Sequence, residues 1–247
     1  MVQSYDKPPL KRSNIATMTS INASDWRSVA RIIEHTLLRP EATPEQVKKL
    51  CGEARDHEFG VAMVNACHVE LVRDCLRGSD TRVGVVAGFP LGATLSSVKV
   101  FEAAESVRLG AKEVDMVINV GALKSSDRGF VVSDIRGVAE AVHRENAKLK
   151  VIIETILLTE EEKVLACKLS EEAGADFVKT STGFLGGVAT VADVALMRKT
   201  VRIGVKASGG IRTAADAKTM IEAGADRLGT SSGVKIIREL RGEELHV

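Results

Sequence analysis

The chain has 247 residues, 45% hydrophobic, 27% charged and 3% aromatic, enough for one large α/β barrel or two small domains around a core that must be aliphatic. Lys and Arg number 34 against 33 Asp and Glu, a net charge of +1, so no broad field attracts nucleic acid or an anionic membrane, and any anion site has to be local. No run approaches the ~20 apolar residues of a membrane span.

Residues 1–22 hold Pro8-Pro9, Lys11-Arg12 and scattered Ser, Thr and Asn without periodicity. They read as a mobile N-terminal extension to a catalytic domain over 23–247. From Ser24-Asp25, a helix cap, helix and strand alternate to the end. An extra N-terminal helix near 25–33 precedes a strand at Glu34-His35-Thr36-Leu37-Leu38, which Pro40 stops. Thr43-Pro44-Glu45 starts the next helix, with threonine as cap and proline in the first turn. Further strands are predicted at 61–65, 83–88, 113–119, 150–155, 176–180, 204–208 and 226–230. Helices are predicted between them near 68–77, 97–109, 130–143, 159–173, 190–199 and 213–223, with a last one near 232–240. Eight strands, each followed by a helix, predict a single (β/α)8 TIM barrel. Glu172-Ala173-Gly174-Ala175-Asp176 recurs as Glu222-Ala223-Gly224-Ala225-Asp226, with glycine where each helix should end in a left-handed residue.

The four cysteines, Cys51, Cys67, Cys75 and Cys167, form no CxxC pair and suggest reduced thiols in a cytoplasmic protein. Zinc spacings, a Walker sequence and a G-x-G-x-x-G are missing, so neither metal nor nucleotide cofactor is indicated.

Chemistry should sit at the C-terminal mouth of the strands. There Asp115 on the fourth strand, Lys179 on the sixth and Lys206 on the seventh interrupt aliphatic runs, and period-2 alternation lets each point into the barrel. A second ammonium beside a lysine disfavours protonation, so one lysine can bring the other towards ~7 to 8 and free its lone pair to attack a carbonyl. Three pKa units correspond to roughly 4 kcal/mol, within reach of one like charge plus partial desolvation. The protonated imine is then an electron sink for making or breaking a carbon–carbon bond, with Asp115 as the candidate acid and base. The alternative is a buried Lys–Asp–Lys network that only fills the barrel. Ser208-Gly209-Gly210-Ile211-Arg212 and Gly229-Thr230-Ser231-Ser232-Gly233 follow the last two strands and precede helices, where barrels commonly hold a phosphate.

The stretches 34–38, Gly88-Phe89-Pro90-Leu91-Gly92-Ala93-Thr94, 113–125, Phe177 to Gly183 and Val205 to Arg212 closely resemble the deoxyribose-phosphate aldolase family, over nearly all of residues 25–240. The resemblance implies a class I, cofactor-free aldolase that reversibly splits 2-deoxy-D-ribose 5-phosphate into acetaldehyde and D-glyceraldehyde 3-phosphate. It implies Lys179 as the Schiff-base lysine, Lys206 as the lysine that perturbs it and Asp115 as the proton-shuttling acid. It also implies Gly183, Gly209, Gly210, Ser231 and Ser232 as phosphate contacts. The partners would be phosphorylated sugar and aldehydes, without nucleic acid or membrane, and self-association as a homodimer or homotetramer is expected. Some positions depart from the family pattern. Met63 and Ala66 stand where members often have cysteine and proline, which is expected to alter the pocket wall. Phe184-Leu185-Gly186-Gly187 differs from the usual loop, and Tyr5 is the sole tyrosine, so the C-terminal tyrosine of some longer members has no counterpart. A transaldolase-like barrel and a phosphate-binding barrel without activity remain open at this point.

Overall fold

The computed structural model describes residues 21–243; the predicted extension, apart from its last two residues, lies outside them. Eight strands run β1 (Ile33–Leu37), β2 (Val61–Val64), β3 (Arg82–Ala87), β4 (Glu113–Val117), β5 (Lys148–Ile152), β6 (Phe177–Lys179), β7 (Gly204–Ser208) and β8 (Arg227–Thr230). They pair in parallel in chain order, and β8 returns to β1 with Ile33 beside Leu228 and Glu34 beside Gly229. The chain is therefore a (β/α)8 TIM barrel. The extra helix is α1 (Trp26–Ile32), whose cap Asp25 accepts from the backbone N–H groups of Arg27 and Ser28.

Local chemistry explains most element starts. Thr43, Thr159 and Thr213 each make a reciprocal capping box, opening α2 (Pro44–Asp56), α7 (Glu160–Glu172) and α9 (Ala214–Glu222) by satisfying N–H groups that lack helical partners. The repeated glycines Gly174 and Gly224 end α7 and α9 with positive φ, as expected. The repeated aspartates have a further use. Asp176 accepts from the Leu149 N–H of β5, and Asp226 from the Val205 N–H of β7, so each joint ties its incoming strand to the neighbour laid down before it.

Two predicted strands end more than one residue earlier than expected, for different reasons. β4 stops at Val117 because the Asn119 side chain turns to cap α5 (Val120–Lys124), a short helix the periodicity did not predict. β5 stops at Ile152, ahead of Glu154, which takes a left-handed backbone conformation.

Alternation then sorts the side chains. Ile33, Val114, Met116, Val151, Val178 and Val205 are buried in the large aliphatic layer between barrel and helices. Inside the barrel a small apolar cluster of Leu38, Val61, Met63 and Val86 lies towards β1, β2 and β3. Glu34 of β1 and the strands from β4 to β7 fill the remaining lumen with charge.

Candidate active site

Strand register brings the predicted site residues together. Lys179 on β6 pairs with Lys206 on β7, and Asp115 on β4 pairs with Lys150 on β5; paired positions on adjacent strands share a face of the sheet. Lys179 Nζ is 2.9 Å and Lys206 Nζ 2.7 Å from the same oxygen, Oδ2 of Asp115. All three side chains are buried. The expected convergence of Asp115, Lys179 and Lys206 is therefore present.

Glu34, Glu113 and Lys150 complete the cluster and were not singled out from the sequence. Lys150 Nζ lies 3.0 Å from Asp115 Oδ1, 2.5 Å from Glu113 Oε2 and 3.4 Å from Glu34 Oε2, and Lys206 also bonds Glu34. Three buried lysines thus face three buried carboxylates. The signal was present in the strands, since Glu113 stands two residues before Asp115 and so points the same way, and Lys150 is a charge inside an aliphatic run. Arg82, 2.8 Å from Glu113, closes the cluster from the outer end of β3.

Lys179 and Lys150 are equally enclosed but titrate in opposite directions. Burial lowers Lys179 and Asp115 opposes that; with the like charge of Lys206 added, the amine is pushed down to about 8. Burial acts on Lys150 too, but Asp115, Glu113 and Glu34 outweigh it and raise the group above the usual lysine range. The difference is the number of carboxylates in direct contact, one against three, together with the like charge of Lys206 on Lys179. Burial, rather than the neighbouring ammonium that the sequence suggested first, leads the depression of Lys179. Burial would raise Asp115, yet Lys150, Lys179 and Lys206 hold it well below the usual carboxylate range, so it is an anion in the resting site. Replacing Lys206 by methionine removes a like charge and leaves Asp115 freer to pair with Lys179. The Lys179 midpoint is then expected to move above about 8, read as an alkaline displacement of the pH profile for imine formation.

Above the cluster opens a cavity of about 720 Å³ with Lys179 in its wall. Gly183, Gly209, Gly210, Ser231 and Ser232 all line it, whereas Asp115 and Lys206 lie beneath and meet it through Lys179. Ser232 stands at the N-cap position of α10 (Gly233–Leu240) without a side-chain cap bond, and the Thr230 hydroxyl accepts from the Ser232 N–H and donates to the Ile211 carbonyl, joining the last two loops. Gly209 cannot be replaced, because a Cβ there would stand 2.6 Å from the Gly187 carbonyl oxygen. Backbone N–H groups, hydroxyls and a helix start together favour an anion at this end of the cavity. Phe184, from the loop that departs from the family pattern, lines the cavity and packs edge-on against Phe89 at 5.1 Å. Met63 does not alter that wall as expected; it is enclosed in the lumen with Val61 and Val86. Among the described residues no group of three or more His, Cys, Asp and Glu is arranged to hold a metal ion, and no helix is long and apolar enough to cross a membrane.

A parallel eight-stranded barrel with a buried lysine, lowered to about 8, in the wall of a cavity lined by glycines and hydroxyls has the layout of a lysine-dependent barrel enzyme. Comparison with known proteins narrows the class. The family model for DeoC/LacD family aldolase matches residues 27–239. A deoxyribose-phosphate aldolase of Thermococcus kodakarensis is 58% identical over 215 residues, which make up 85% of this chain and 96% of that one. Among solved structures, a putative deoxyribose-phosphate aldolase from Coccidioides immitis superposes with a TM-score of 0.85 at 43% identity, over 88% of this chain and 87% of its own. The tetrameric deoxyribose phosphate aldolase from Aeropyrum pernix does so with a TM-score of 0.83 at 34% identity, over 88% and 92%. The chain belongs to the DeoC/LacD aldolase family, and as an aldolase it is a carbon–carbon lyase.

Proposed function

We propose that the chain reversibly cleaves 2-deoxy-D-ribose 5-phosphate to acetaldehyde and D-glyceraldehyde 3-phosphate through a Schiff base on Lys179. The observation that carries the reading is the Lys179 amine, lowered to about 8 by burial at the wall of the cavity. In its neutral form the amine attacks the C1 aldehyde, and loss of water leaves a protonated imine. Deprotonation of the C3 hydroxyl breaks the C2–C3 bond; its electrons flow into the imine, and C3 departs as the aldehyde of glyceraldehyde 3-phosphate. Protonation of the enamine at C2 and hydrolysis then release acetaldehyde and restore the lysine.

Asp115 accepts and returns protons at Oδ2, the oxygen it shares between Lys179 and Lys206, and starts as the base because it is ionised. Lys206 adds its like charge to the burial that lowers Lys179. Gly183, Gly209, Gly210, Ser231 and Ser232 bind the 5-phosphate at the far end of the cavity. The chemistry is supplied by the chain's own side chains. We extend the reading to one cytoplasmic catalytic domain over 23–247 that self-associates, as the tetrameric Aeropyrum pernix enzyme does.

Acetaldehyde plus borohydride is expected to leave a two-carbon adduct on Lys179, mapped by peptide mass spectrometry. The retro-aldol kcat/KM is expected to favour the 5-phosphate over deoxyribose by on the order of 10²-fold, because binding energy from the remote phosphate is used at the reacting carbon. Protein that stays unmodified, or that forms an adduct only with larger ketoses, would overturn the assignment.

A further inference from the structure

Two residues past β5, Glu154 adopts φ 55 and ψ 68, a left-handed backbone that side chains avoid unless the surroundings impose it. Its side chain is buried, with 1% of the residue exposed. One carboxylate oxygen, Oε2, accepts from the Thr182 N–H at 3.1 Å, and the other, Oε1, has no hydrogen-bond partner. The backbone on either side is engaged as well. Ile153 N–H donates to the Lys179 carbonyl at 3.0 Å, and Thr155 N–H to the Thr180 carbonyl at 2.9 Å. Residues 153–155 thus grip the exit of β6 at positions 179, 180 and 182, immediately before Gly183.

The same carboxylate meets the returning arm of that loop. At Gly187 a Cβ would stand 3.1 Å from Glu154 Oε1 and 3.3 Å from the Ser181 hydroxyl, itself buried and without a partner. Beyond Gly187 the arm lies on the next loop, where Ala189 N–H donates to the Gly209 carbonyl at 3.0 Å. Glu154 therefore underlies both arms of the loop that carries Gly183 and abuts Gly209, without itself lining the cavity.

We propose that Glu154 is a positioning residue for the phosphate end of the cavity. Its carboxylate fixes residues 182–187 against β5 so that Gly183 and Gly209 hold the anion in register with the Lys179 amine. This rests on the deoxyribose 5-phosphate reading above. A purely structural role would lower stability and leave phosphate affinity alone.

Three variants separate the two roles. Glu154→Gly relieves the left-handed backbone and is expected to melt no lower than the wild type, while its Kd for inorganic phosphate, by calorimetry, rises about 10-fold with loss of one charge-assisted hydrogen bond. Its KM for the phosphate ester is expected to rise in step, with kcat held within about threefold and kcat/KM for unphosphorylated deoxyribose unchanged. Glu154→Ala should weaken phosphate binding similarly, and Glu154→Gln, which keeps an acceptor for the Thr182 N–H, should restore it to within about threefold. A wild-type phosphate Kd in both the Gly and Ala variants would overturn the proposal. An inactive wild type would sink the functional reading alone, since the ratio of phosphate Kd values still decides this one.

Discussion

Replacing Lys179 by leucine is expected to abolish borohydride trapping and lower retro-aldol turnover by on the order of 10⁴-fold or more, while raising the melting temperature at neutral pH. The stability gain follows from the direction of the pKa displacement. The unfolded chain keeps this proton up to the ordinary lysine value of 10.5, whereas the folded chain gives it up at about 8. Between those values the unfolded state binds more protons, so stability contributed at this site rises with pH. Below pH 8 both states are protonated and the fold bears the full penalty of an enclosed ammonium. Leucine removes that penalty, and Asp115 keeps Lys150 and Lys206 as partners at 3.0 and 2.7 Å. The advantage of the variant should be largest below pH 8 and fade towards 10.5, as melts at several pH values will read. A variant that unfolds more easily than the wild type at pH 7 would contradict an amine held at functional rather than structural advantage.

Asp115→Asn should behave in the opposite way. Asp115 touches all three lumen lysines; without its charge, three ammonium groups face Glu34 and Glu113 alone. Removing one member of a buried ionic cluster costs about 3–5 kcal/mol, to be read by urea unfolding at pH 7. The carboxylate is held well below its ordinary value, so its contribution is present above pH ~4 and is lost as pH falls through the depressed value. The variant should therefore lose the acid resistance of the wild type as well. Its effects on chemistry divide. Asp115 acts to raise Lys179, so its removal leaves the amine more often neutral and imine trapping persists. Turnover is expected to fall by about 10² to 10⁴-fold, the usual worth of a positioned proton carrier. Loss of trapping together with turnover would assign Asp115 to holding the fold instead of moving protons.

Much of this protein was legible in its sequence because the signals are local. Thr43, Thr159 and Thr213 cap helices through contacts three residues away, and the period-2 strands announce which side chains enter the lumen. Elements set by one side chain in a loop were harder to see. Asn119 ends β4 by capping α5, and nothing in the composition around Glu154 announces a left-handed residue, since its backbone is imposed by Thr180 and Thr182 just beyond the neighbouring strand β6.

The sequence alone determined that eight strand–helix units would close into a barrel and that Asp115, Lys179 and Lys206 would point into it. Tertiary structure decided which charges meet and which lysine gives up its proton. Lys150 and Lys179 are the same residue in similar aliphatic strands, yet one faces three carboxylates and is raised while the other touches one and is lowered to about 8. Those partners come from elsewhere in the chain, Asp115 reaching Lys179 across 64 residues and Glu34 reaching Lys206 across 172. Burial and Coulomb attraction act through space, and only closure of the barrel fixes those distances.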